Sequence, residues 1–141
     1  MISLIEPKVF KLDIEKLKEI LVNRLLRKGF IVKESYKAKG FSGVIHEFDI
    51  LIEEGGRCCA INFCRSDATI ELIKAVALYL DTKIPQIVVC NEYKKDIVEM
   101  IEGSNVKVSM LSNENIDEVI RKIVEYLKEQ TRLSEMLSSS M

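Results

Sequence analysis

Apolar positions recur at helical spacing in four stretches of this chain and fall in short runs or alternate with polar residues in five others. Ile14, Leu17, Leu21 and Leu25 share one face of a helix predicted over 14–28, with Asp13 placed to cap it and Gly29 to end it. Phe30–Glu34 reads as a short strand and Ser35–Gly43 as a polar loop. Two further strands, Val44–Ile52 and Arg57–Cys64, flank Glu53–Gly56, a turn suited to a hairpin. After Arg65 the pattern alternates. Asp67–Leu80 is predicted helical with Ile70, Ile73, Ala77 and Leu80 on one face, and Gln86–Cys90 is a short apolar strand of the kind buried on both sides. Glu92–Glu102 is a helix stopped by Gly103, and Val106–Met110 is a strand. Asn113 is placed to cap a last helix, whose inner face carries Ile116, Val119, Ile120, Ile123 and Leu127.

Helix, three-strand antiparallel meander, then alternating helix and strand predicts an α/β fold, a mixed β-sheet flanked by helices. With no repeats and no interior linker, residues 1–137 read as a single domain and 138–141 as a frayed C-terminal tail. Leu133, Met136 and Leu137 could carry the last helix onto a partner or a second copy.

Composition narrows the class. Hydrophobic residues make up 48% and charged residues 30%, the balance of a water-soluble globular domain. No apolar run approaches the roughly 20 residues that span a bilayer, so no membrane partner is expected. The first residues, MISLIEPKVFKLD, lack a basic segment followed by a long apolar one, and a cytoplasmic location is the expectation. Cysteines at 58, 59, 64 and 90 form no CxxC pair and read as small buried hydrophobes. A Cys64–Cys90 disulfide is the alternative, open to a hyperthermophile source. Net charge is −1, but Lys11–Lys39 holds nine bases against four acids and Glu92–Glu129 six against nine. That asymmetry could orient the domain on a polyanion; two ordinary solvated helix faces would give the same counts.

The candidate chemistry lies in Gly40–Arg65, GFSGVIHEFDILIEEGGRCCAINFCR. Side chains alternate along a strand, which predicts Glu47 and Asp49 on one face and Asn62 and Cys64 together on theirs. Val44, His46, Phe48 and Ile50 take the opposite face, with His46 as an interior or capping group. Carboxylates two residues apart beside a paired strand could hold a hard cation through oxygen, or simply form an exposed hairpin face.

This order of elements over Asp13–Cys90, with the loop and strand Gly40-Phe-Ser-Gly-Val-Ile-His-Glu-Phe-Asp49, resembles the restriction-endonuclease-like PD-(D/E)xK superfamily, in particular archaeal Holliday-junction resolvases and Mrr-type nucleases. Only the 26-residue hairpin is specific to the likeness. The resemblance implies a strand-borne Asp and a following acid that bind Mg²⁺, and a Lys that assists the attacking water. Asp49 matches the first position; Asn62 and Cys64 stand at the other two. Asn62 brings no negative charge, and the Cys64 thiol, with a reference pKa of about 8.5, brings no ammonium. Such groups are each commonly worth about 10²–10³-fold in rate. Glu47 could serve as a second carboxylate for the metal, and Glu15 or Glu19 as a third, while Arg65 is expected on the other face from Asp49.

The expected function is therefore a catalytically weakened or inactive nuclease-like domain that binds duplex or branched DNA or assembles with DNA-processing partners. Lys37, Lys39, the Gly40, Ser42 and Gly43 loop, and Arg65 would meet phosphates through side chains and backbone amides. An active Mg²⁺-dependent endonuclease with a migrated site on Glu47 and Asp49, and a purely structural or protein-interaction domain, are the alternatives. The likeness to resolvases further implies a homodimer, by analogy of fold alone.

Overall fold

The computed structural model describes residues 14–139, with side chains over 14–129. The elements in chain order are α1 (Ile14–Arg27), β1 (Ile31–Lys39), β2 (Ile45–Glu54), β3 (Arg57–Phe63), α2 (Ala68–Thr82), β4 (Gln86–Cys90), α3 (Lys95–Glu102), β5 (Val108–Ser112) and α4 (Ile116–Ser139). The five strands form one mixed sheet in the order β1-β2-β3-β4-β5. β1, β2 and β3 run antiparallel, and β3, β4 and β5 run parallel. The α/β architecture expected from the pattern is the one observed.

Alternation along β4 assigns the layers. Ile87 and Val89 join Leu17, Leu21 and Leu25 of α1 and Val119, Ile120, Ile123 and Leu127 of α4 in one core cluster. Val88 and Cys90 join Leu72 and Ala75 of α2 and Val98 of α3 in another on the opposite face. Leu25 and Ile123 are fully buried, each contributing about 1.5–3 kcal/mol to holding its helix against the sheet.

Several boundaries and faces differ from expectation. β1 does not stop at Glu34 but runs to Lys39, because Tyr36 and Ala38 turn inward onto Phe48 and Leu51 while Lys37 and Lys39 stay exposed. The last helix begins at Ile116 and its cap is Asn115, whose side chain accepts from the Glu118 N–H. Asn113 is instead buried and donates to the side chain of Asn91. The helix backbone runs to Ser139, while the Asp13 cap and the Leu133, Met136 and Leu137 surface lie outside the described residues and side chains.

The largest correction concerns α2. Its expected inner stripe faces outward: Ile70, Ile73 and Leu80 are 50%, 63% and 52% exposed, and Ala77 is exposed with them. Leu72 and Ala75 face the sheet instead, with Val76 and Tyr79 packed beside them. Two apolar stripes run along this helix at the same spacing, so periodicity cannot say which one is inside.

Candidate functional site

β2 and β3 part company beside Asp49. Their ladder runs from Glu54↔Arg57 to Ile50↔Ile61, and side chains take over beyond it. The Asp49 N–H donates to Asn62 Oδ1 at 3.0 Å, and the Phe63 N–H donates to Asp49 Oδ2 at 2.8 Å. On the other flank the β1–β2 ladder skips Ser35 and Asp49, and Ser35 takes a left-handed φ of 48°. This kink breaks the alternation on which the expected faces rest. Phe48 packs with Leu51 on the α2 side, whereas Ile50 packs with Ile52 on the α1 side. Strict alternation would have placed Phe48 and Ile50 together.

The fork opens a cleft of about 440 Å³ between α1 and α2. It gathers Glu47, Asp49 and Asn62 as expected, with Glu15 from α1. Glu19 lines a neighbouring cleft. Cys64 does not line the Asp49 cleft; it packs with Cys90 on the α2–α3 cluster, and its thiol donates to the Ser66 carbonyl at 3.2 Å. Arg65 enters in its place. β3 ends at Phe63, alternation ends with it, and Arg65 swings back to the side from which it was expected to point away. Glu71, Lys74, Lys18 and Ser35 also line the cleft and were not singled out in the sequence, since nothing local links the first turn of α2 or a buried α1 lysine to Asp49.

Asp49, Asn62 and Arg65 at the centre of this cleft are each bonded within the chain. Arg65 Nη1 donates to Asp49 Oδ2 at 2.7 Å and to the Phe63 carbonyl at 3.3 Å, and the Arg65 N–H donates to Glu71 Oε2 at 3.2 Å. The hydrogen bond to Asp49, then the charges of Asp49, Glu15 and Glu71, hold the guanidinium more firmly charged than usual. Asn62 Nδ2 donates to Gln86 Oε1 at 3.1 Å, and the fully buried Gln86 passes its own amide to the Ile84 carbonyl at 2.8 Å. Asn62 is thus a cross-brace joining β2, β3 and β4.

Of the oxygens that would meet the Mg²⁺ the resemblance implies, two are already engaged within the chain. Asp49 Oδ2 already accepts from Phe63 and Arg65, and Asn62 Oδ1 from Asp49. Among the described residues no three His, Cys, Asp or Glu side chains converge in a way that could hold a metal ion. The positive charge beside Asp49 is Arg65.

The glycine loop is spent in a similar way. Asp81, at the end of α2, accepts from the Ser42 N–H at 2.8 Å, from Ser42 Oγ at 2.7 Å and from His46 Nε2 at 2.6 Å. The Gly40, Phe41 and Gly43 amides donate to the carbonyls of Val44, Asp81 and Gly40. Gly40 lies so close to Asp81 that an added β-carbon would overlap its carboxylate, which explains the glycine. The loop amides expected to meet phosphate are therefore occupied, and a carboxylate sits behind them; His46, expected as an interior or capping group, is partly buried against Asp81. Lys37 and Lys39 remain exposed on β1.

The hydrogen bonds from His46, then those from Ser42, pull the Asp81 carboxyl down to about 2. Because its folded pKa lies below the unfolded value of about 3.9, this clamp stabilises fully above about pH 4 and is lost as pH falls toward 2. In an NMR acid titration, the Ser42 amide and His46 ring signals should move together through that window and stay flat there in Asp81→Ala.

No family profile matches the chain. A curated relative, an uncharacterised protein of Archaeoglobus fulgidus, is 23% identical over 121 residues, covering 79% of this chain and 94% of the relative. Among solved structures, the crystal structure of AF1548, a protein of unknown function, aligns with a TM-score of 0.51 at 19% identity over 68% of this chain. The chain spans 56% of the length of that structure, and the likeness is one of fold. Among the described residues no helix is long and apolar enough to cross a membrane.

Proposed function

We propose that this chain is a nuclease-like domain that has ceased to cleave and binds the phosphate backbone of duplex or branched DNA. One observation supports the first half: the Asp49 carboxylate is paired with Arg65 and bonded to the Phe63 amide through Oδ2, so part of what would hold a cation is engaged within the chain. The second half rests on charge placement. Lys37 and Lys39 extend along an exposed edge strand beside the cleft, and Arg65 and Lys74 at its mouth, though paired with Asp49 and Glu71, are 49% and 65% exposed. Side chains, not loop amides, make the phosphate contacts. Part of the basic first quarter is already neutralised, with Lys18 against Glu34 and Arg24 against Asp117, so binding is modest and depends on few cations.

The test is fluorescence anisotropy on labelled linear and four-way-junction DNA across a salt series, with gels run in Mg²⁺ or Mn²⁺. The expected result is salt-sensitive binding without cleavage. Lys37→Glu/Lys39→Glu should weaken binding about tenfold or more and flatten the log–log salt slope by about 2, roughly one unit for each phosphate no longer neutralised. Cleavage that Asp49→Ala abolishes would defeat the proposal. An absence of binding even at low salt would favour a second reading, a protein-assembly module. The outward stripe of Ile70, Ile73, Ala77 and Leu80 supports that reading, continued by Phe41, Val44 and Ile45 across the loop clamped to Asp81.

A further inference from the structure

Cys64 and Cys90 are free thiols placed side by side at the C-terminal rim of two parallel strands. The β3–β4 register pairs Phe63 with Val89, and the Cys64 N–H donates to the Val89 carbonyl at 2.9 Å, so the next residues along, Cys64 and Cys90, are cross-strand neighbours. Both belong to the same face, against Leu72, Val88 and Met110. Neighbouring strands lie about 4.8 Å apart, inside the roughly 4.4–6.8 Å between α-carbons that a disulfide bridges.

The other two cysteines lack this arrangement. Cys58 and Cys59 are consecutive on β3 and point into different clusters, Cys59 toward α1 and Cys58 toward the Phe48 side. Six residues of strand, about 20 Å, separate Cys58 from Cys64. Access differs as well. Cys90 is 2% exposed, while Cys64 is partly open and borders a cleft of about 230 Å³ with Asn91 and Asn113.

We propose that Cys64 and Cys90 are a dithiol that a small-molecule disulfide oxidises to an intrachain bond. The Cys64 thiolate attacks one sulfur of the reagent, forming a mixed disulfide and releasing the first half as a thiol. The Cys90 thiolate then attacks the Cys64 sulfur, closes the bond and releases the second half. Two protein thiols and one small disulfide become one protein disulfide and two small thiols, so atoms and electrons balance. Burial, then the neighbouring Cys64, pushes the Cys90 thiol up, which favours the more open Cys64 as the first to meet the reagent. The bond pins the corner that carries Arg65, tying the redox state of the pair to the cleft.

The experiment incubates the whole protein with oxidised glutathione and follows intact mass and thiol content. The expected product has lost two hydrogens and two titratable thiols, and its digest yields one linked pair, Cys64 with Cys90. Cys58→Ser/Cys59→Ser should form the same product, whereas Cys90→Ser should stop at a single mixed disulfide on Cys64. A wild-type protein that stops at the mixed disulfide, stays fully reduced in excess reagent, or links through Cys58 or Cys59 overturns the proposal. None of these results depends on DNA binding.

Discussion

Gln86→Leu should destabilise the protein by about 2–4 kcal/mol, although leucine is close to glutamine in volume. Gln86 has no exposed surface, and its amide holds Asn62 with one end and the Ile84 carbonyl with the other. Leucine leaves two polar groups without partners, each costing about 1–3 kcal/mol, partly offset by the added apolar burial. For a domain of this size that corresponds to a fall of roughly 5–15 °C in Tm. Urea unfolding with an unchanged slope would assign the loss to the native state. Wild-type stability in this variant would mean that Asn62 is not braced through Gln86, and the explanation for an asparagine at that position would go with it.

Asp49→Ala should also destabilise, by about 2–3 kcal/mol. The substitution orphans the Phe63 N–H at the fork, at a cost of about 1–3 kcal/mol. It also removes the partner of Arg65, a smaller loss of about 0.2–1 kcal/mol because that side chain is half exposed. The sign is the informative part. A carboxylate kept for catalysis, crowded by Glu47 with no cation present, tends to be a liability to the fold, and its removal commonly stabilises. A carboxylate that stands in for missing ladder hydrogen bonds does the opposite. The two roles can therefore be separated by a melting curve without knowledge of any substrate.

The gross fold was legible because its signals are long-range and redundant. Four helical patterns and five strand patterns in that order leave few architectures other than a mixed sheet with helices on both faces. Glu47, Asp49 and Asn62 were legible as a group because they sit on a hairpin whose register the Glu54–Arg57 turn enforces. What failed did so for local reasons. Alternation put Phe48 with Ile50 until Ser35, at positive φ, broke the ladder opposite Asp49. The same rule sent Arg65 away from Asp49, although the strand ends two residues earlier. Tyr36-Lys37-Ala38-Lys39 is itself an apolar–polar alternation, and it marked the continuation of β1 that a polar-loop reading overrode. On α2, two stripes of equal spacing competed, and only the sheet beneath them decides between Ile73 and Leu72. The Asp81 clamp joins residues some 40 positions apart and has no local signature.

The central claim is that Arg65 and Asp49 are partners, so that this carboxylate serves the fold. A double-mutant cycle of Asp49→Ala and Arg65→Ala, read by urea unfolding in the absence of added metal, tests it directly. The pair should show a coupling of about 0.2–1 kcal/mol, with the double variant less destabilised than the sum of the singles. Additive losses, or Asp49→Ala more stable than the parent chain, would contradict the claim.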